Sequence, residues 1–376
     1  MKTADDAEDG RKHEIATVVE RWRIAFFQLY VFLWFSRCDI VVAMKFVCAL
    51  LSGVLVCGST AVSHAADSKY IRQGNPQDAQ THTEAGIAMM GGGSDLDEAF
   101  RWLCAKGNGG DFLVVRAHGG SDYNPYVAGL CRMNSVATLV IPSRKAAQNP
   151  HVAEIIGQAE VIFIAGGDQS RYVNFWKGTP VEDAINVHVA AGKPIGGTSA
   201  GLAVLGQFVY GCLEDKPNDA DLTSREVLAD PYIKRVTVVR DFLKVPGFDN
   251  ILTDSHFAKR DRMGRSLGFL ARIVQDGWSK APREIAIDEK SALLVEAGGR
   301  SKVVGTGLGV YFLQVTDAPE VCKPGQPLTL RSVAAYRTPT GAGFDVRAWS
   351  GDGGEAYSIT VEAGQIHTSR TGNAVY

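Results

Sequence analysis

From residue 86 onward, short, largely apolar runs alternate with stretches whose apolar residues recur at helical spacing. The runs at 87–90, 112–116, 137–141, 161–165 and 194–196 are followed by helical patterns at 95–106, 125–133, 152–158, 181–191 and 200–205. Runs of this kind have no alternating polar face, so both of their faces must be covered. Strand then helix, repeated five times, predicts an α/β fold with a mostly parallel sheet and helices on both faces. Ligands of such sheets lie beyond the carboxyl ends of the strands, which makes the loops after each strand the place to look for chemistry.

After residue 223 the pattern loosens. A short helical stretch at 226–230 and a strand-like 236–239 lead into a mixed block at 254–272, and strands are expected at 285–287 and 292–295. Beyond 316, short alternating runs at 327–332, 343–348 and 356–361 are separated by proline and glycine turns. That change predicts a small antiparallel β appendage at 320–376, behind an α/β domain at 66–319.

The N-terminal stretch has a different character. Residues 24–35 form an apolar run of twelve, too short to span a bilayer. A second start follows at Met44-Lys45, with an apolar run at 46–56 and the small-x-small site Ser63-His64-Ala65, the order of a secretory signal peptide. Residues 1–43 are therefore read as an over-extended N-terminus and 44–65 as the signal, so the folded protein is expected to begin near Ala66. It would be periplasmic or secreted, with no stable membrane insertion after processing. Cys104, Cys131, Cys212 and Cys322 remain, an even number that suits two disulfides in an exported protein. Cys104 with Cys131 is the first expectation, since a helix and its neighbouring strand join them, although three pairings stay open. With 39 Lys and Arg against 41 Asp and Glu, the net charge of −2 offers no polycationic surface for nucleic acid. No cysteine or histidine spacing suggests a metal.

The strongest local signal is Ile195-Gly196-Gly197-Thr198-Ser199-Ala200-Gly201-Leu202, an apolar strand that turns sharply into a helix with a serine at the corner. Such an elbow lifts the hydroxyl off the sheet and sets the Ala200 amide to stabilise an oxyanion. A serine that merely caps a helix is the plainer reading. Two further blocks favour catalysis. One is the buried strand ending in Gly166-Gly167-Asp168-Gln169. The other is Asp254-Ser255-His256-Phe257-Ala258-Lys259-Arg260-Asp261-Arg262-Met263-Gly264-Arg265, which puts a histidine beside three arginines.

These blocks, in this order, resemble the cyanophycinase and peptidase E family of serine peptidases, whose core is similar to a class I glutamine amidotransferase domain. The resemblance covers roughly residues 86–315. It implies Ser199 as nucleophile and His256 as general base, with Gln169, Asp254, Arg260, Arg262 and Arg265 around the substrate. Glu289 resembles the acid that orients the imidazole, while Glu214 and Glu226 remain alternatives. The oxyanion would be bound by the amides of Ala200 and of Gly167 or Asp168. Two positions depart from the family pattern: Ser255 stands where the family has glutamine, and Leu202 where it often has alanine. Both leave the exact substrate open.

The implied reaction is hydrolysis of cyanophycin or a related β-aspartyl peptide, with release of β-Asp-Arg-like dipeptides and no metal or organic cofactor. Three arginine forks suit a carboxylate near the scissile bond, and Asp254 or Asp168 suits a cationic side chain. A homodimer is left open. An α/β-hydrolase esterase is a rival, because Arg116-Ala117-His118-Gly119-Gly120 looks like part of its oxyanion loop, but that fold requires a late histidine. Gly91-Gly92-Gly93-Ser94-Asp95-Leu96 does not satisfy a dinucleotide fingerprint. A non-catalytic binding protein of the same fold is the third reading.

Overall fold

The computed structural model describes residues 68–216 and 219–376, which fall within one unit of the chain. The expected signal peptide and the extension before it lie outside the described residues. Among the described residues no helix is long and apolar enough to cross a membrane.

The apolar runs form the expected strands. Ser135–Val140, Asp111–Arg116, Val161–Ile164, Ile195–Thr198 and Gly86–Met90 lie side by side in that order, all parallel. Their residues are almost wholly buried, as strands covered on both faces must be. Alternate residues point to opposite layers: Phe112, Val114 and Phe163 pack with Phe100 and Leu103 of helix Asp97–Gly107. Leu113, Val115, Ile162 and Ile164 face the other way, into a larger core.

The sheet is not mostly parallel, and in this the expectation from the sequence needs correction. Antiparallel strands extend the parallel core on both sides: Lys69–Gly74 at one edge, and Ser291–Glu296, Arg300–Gly305, Gly343–Asp345 and Ser350–Asp352 at the other. A second, eight-stranded sheet runs from Gln365–Thr368 to Val238–Arg240, and in it only Phe208–Tyr210, Ile251–Asp254 and Arg283–Ile287 are parallel neighbours. Ile285, Ile287 and Phe312 of this second sheet share the larger core with the first, so the two sheets are packed together through it. Helix Met263–Gln275 covers the opposite face of the second sheet with Leu267 and Leu270.

The helix Gln169–Trp176 has no counterpart in the sequence reading. Asp168 caps it by accepting from the Ser170 amide at 2.9 Å, and Tyr172, Val173 and Trp176 are its buried residues. The strands after Leu330 join the edges of both sheets in antiparallel register. Cys104 and Cys131 are bonded, whereas Cys212 and Cys322 are free, so one disulfide stands where two were expected. The bond ties helix Asp97–Gly107 to the end of helix Tyr123–Leu130 across 27 residues of chain. Reduction should lower the unfolding free energy by about 2–4 kcal/mol, read as a drop in urea midpoint between oxidised and reduced protein.

Candidate active site

Ser199 follows strand Ile195–Thr198 and precedes the short helix Ala200–Ala203. Its φ of 52° and ψ of −116° are unusual for a residue with a side chain, a conformation that costs on the order of 1–3 kcal/mol. The glycines around it are obligatory for packing. A Cβ on Gly201 would lie 2.0 Å from the Ile164 carbonyl oxygen, and one on Gly197 would lie 2.4 Å from that of Gly201.

His256 follows strand Ile251–Asp254 of the second sheet and also has a positive φ, 48°. Its Nε2 is 2.7 Å from the Ser199 hydroxyl and its Nδ1 is 2.7 Å from Glu289 Oε1. Glu289 sits in the turn between Arg283–Ile287 of the second sheet and Ser291–Glu296 of the first. Of the alternative acids, Glu214 pairs with Lys234 at 2.7 Å, and Glu226 closes a capping box with Thr223. The structure brings neither to the imidazole.

The loop after strand Gly86–Met90 registers these three positions. The Ser199 amide donates to Met90 O at 3.1 Å, the His256 amide to Gly91 O at 2.8 Å, and the Lys290 amide to Gly92 O at 3.0 Å. Gly92, at a φ of 91°, lies directly beneath the imidazole, where a Cβ would come within 2.4 Å of Cε1. Sequence reasoning met these glycines only as a failed dinucleotide fingerprint. Their signal, three glycines at the end of a buried strand, became informative once the packed ring was known.

A cavity of about 460 Å³ opens beside Ser199. Gly167, Gln169, Ala200, Arg260, Arg262 and Arg265 all line it. Gln169 donates through Nε2 to Cys212 Sγ at 3.0 Å, and Ser255 turns its carbonyl to Arg262 at 2.9 Å. Leu202 is fully buried behind the elbow. Asp254 is not on the cavity wall. It lies underneath, 4% exposed, with Oδ1 accepting from Arg262 at 3.1 Å and both oxygens accepting from Arg265 at 2.6 to 3.0 Å. A carboxylate so engaged has no free face for a cationic substrate group. Arg116 donates to the carbonyls of His118 and Gly120, and none of that segment lines the cavity.

The charges explain the protonation states. Burial drives the His256 pKa below that of an ordinary histidine, and Arg260 and Arg262 push it the same way, against the stabilising contact with Glu289. The imidazole is therefore held neutral, able to accept a proton. Its hydrogen bond to Glu289 holds that carboxyl below the usual carboxylate range. Burial works upward on Asp254, yet Arg265 and Arg262 outweigh it and the net direction is down. Among the described residues no cluster of three or more histidine, cysteine, aspartate or glutamate side chains is placed to hold a metal ion.

In an α/β fold, a serine elbow, a neutral imidazole and a carboxylate in hydrogen-bonded line form the constellation of a hydrolase. The comparisons point to one such family. The model of Peptidase family S51 matches residues 122–227, which include the Gly166–Gln169 loop and the Ser199 elbow and stop before His256. Cyanophycinase of Trichormus variabilis is 26% identical over 208 residues, 54% of this chain and 62% of that protein. Cyanophycinase of Synechococcus elongatus is 29% identical over 183 residues, 46% of this chain and 48% of that protein. The matches thus span roughly half to two thirds of these relatives. A solved peptidase from an acI-B1 Actinobacterium superposes with a TM-score of 0.43 at 20% identity, covering 63% of this chain and 96% of its own. The chain resembles the cyanophycinase and peptidase E family.

The glycine beneath the ring yields a direct test. Gly92→Ala should displace His256 and cut kcat by about 10²-fold, the usual penalty for a catalytic group misplaced by an ångström. The unfolding midpoint and near-ultraviolet circular dichroism should report a folded protein, and unchanged kcat would remove the loop from the argument.

Proposed function

We propose that this chain is a serine-type peptidase that hydrolyses cyanophycin or related β-aspartyl peptides and releases β-Asp-Arg-like dipeptides. The observation that carries the reading is the unbroken line from Ser199 Oγ through His256 to Glu289, 2.7 Å at each step, opening onto an arginine-lined cavity.

In this reading His256 Nε2 takes the Ser199 proton as the oxygen attacks the scissile carbonyl. The tetrahedral oxyanion is held by the amides of Ala200 and of Gly167 or Asp168. Glu289 keeps the proton on Nδ1 and stabilises the imidazolium. The imidazolium then protonates the leaving amine, and water, deprotonated by the same ring, cleaves the acyl-enzyme ester. Arg260, Arg262 and Arg265 receive a substrate carboxylate near the scissile bond. With Asp254 locked behind the wall, Asp168, which lines the cavity together with Asp215 and Asp221, is the acid that we assign to a substrate guanidinium.

We further propose that the protein is exported, with the signal at 44–65. The Cys104–Cys131 bond supports an oxidising compartment, where structural disulfides persist.

Ser199→Ala should lower kcat on cyanophycin or a β-aspartyl peptide by about 10⁴-fold or more, with products identified by mass. Equal release by both proteins would take Ser199 out of the reaction. The pH profile gives a second check with a defined sign. Activity needs neutral His256, whose pKa is depressed, so the acid limb of kcat/KM should fall below the ordinary histidine value of about 6.5. Arg260→Ala removes a repelling charge and should move that limb up. Glu289→Gln removes a stabilising one and should move it down, with kcat about 10²–10⁴-fold lower. Limbs that stay in place in both variants would show that another group titrates.

A further inference from the structure

Two carboxylates are hydrogen-bonded to the arginine cluster, and they differ in kind. Asp254 is buried and accepts from Arg262 and Arg265 through both oxygens. Asp221 reaches in from the opposite loop, its side chain 52% exposed, and a single oxygen, Oδ2, accepts from Arg260 at 3.1 Å and from Arg262 at 2.9 Å. It lines the same cavity as Ser199. We propose that Asp221 is a resident carboxylate that occupies the Arg260–Arg262 pair until a substrate carboxylate displaces it, and that it is thereby a specificity-determining residue of the cavity.

The geometry separates a displaceable acid from a fixed one. Breaking the Asp254 contacts would strand a charge in the interior, whereas Asp221 is half exposed and can turn into water, leaving an exposed Arg260 and an Arg262 that still pairs with Asp254. Its backbone need not move. The next residue, Leu222, is buried at 2% exposure, and Thr223 caps helix Ser224–Ala229, so the chain is anchored just after Asp221 while its side chain is free to rotate. Arg262 presents one guanidinium nitrogen to Asp254 and to the Ser255 carbonyl and the other to Asp221, and its buried Nε has no partner. The fork is thus held in place from behind whether or not Asp221 is seated. Burial works against ionisation of Asp221, but the bonds to Arg262 and Arg260 bring its pKa down to about 2, so the competitor is charged at any working pH. A substrate must bring a carboxylate of better fit than this one, and a weakly matched anion is refused.

The inference rests on the reading that the substrate offers a carboxylate to these arginines, and the experiment keeps the two apart. Succinate would be titrated by calorimetry into Ser199→Ala and into the same protein carrying Asp221→Asn. The Asn variant should bind succinate about two- to fivefold more tightly, the range an exposed ion pair supplies. Asp221→Ser should reproduce the gain, which guards against new contacts made by the amide. Equal or weaker binding, or binding to neither protein, overturns the proposal. A higher KM for cyanophycin in Asp221→Asn with Ser199 intact, with succinate affinity unchanged, would make Asp221 the receptor for the cationic end and also overturns it. Failure of protein with Asp221 and Ser199 intact to release β-Asp-Arg from cyanophycin removes the substrate reading alone, whatever succinate does.

Discussion

The structure depends on where one strand ends. Three successive carbonyls, those of Met90, Gly91 and Gly92, accept amide hydrogens from Ser199, His256 and Lys290. Three segments distant in sequence are thereby docked at adjacent points of one backbone, and the side chains that follow from them meet in a line. All three docked residues, Ser199, His256 and Lys290, have positive φ, a cost that the surrounding packing has to meet. The glycines beneath make that packing possible, since a side chain at Gly92 would occupy the place of the imidazole and one at Gly91 would run into the Asp288 carbonyl.

Beyond the hydroxyl, the cavity is shaped by how its cations are held. Arg265 is fixed by Asp254 from below and lies over the rings of Tyr210 and Phe269. Arg260 is the most exposed of the three and the nearest to Glu289, at 4.0 Å. Two of these guanidinium groups, those of Arg260 and Arg262, also add to burial in holding the His256 pKa down. Glu284, fully buried under this cluster, has its carboxyl pushed up by burial and by Asp254, and donation from Ser266 at 2.6 Å satisfies one of its oxygens.

The parts legible in the sequence were those whose physics is local. The five buried runs could be read as strands because nothing else buries both faces of so short a segment. The elbow could be read because glycines on either side of a serine announce a tight turn. Glu289 was legible only through the family resemblance, since nothing within 30 residues of it marks an acid that will face His256. The antiparallel flanks were not legible at all: Ser291–Glu296 pairs with Gly86–Met90, about two hundred residues earlier, and local pattern does not choose such a partner. Asp254 shows the same limit for a side chain. In sequence it is one acid beside three arginines, and only the tertiary structure places it behind the wall. Cys212 and Cys322 show it for covalent chemistry, since an even count says nothing about proximity.

The line of three side chains crosses a seam. Ser199 belongs to the ten-stranded sheet, His256 to the eight-stranded one, and Glu289 to the connection between them. On the proposed reading the proton's route therefore spans two sheets joined by the oily layer between them, where Ile287, Leu293 and Phe312 lie. Distances at the reacting oxygen register that interlayer fit the way a vernier registers misalignment of two scales. Turnover would fade with a slippage far too small to unfold anything, which ties chemistry at the surface to residues that never see solvent.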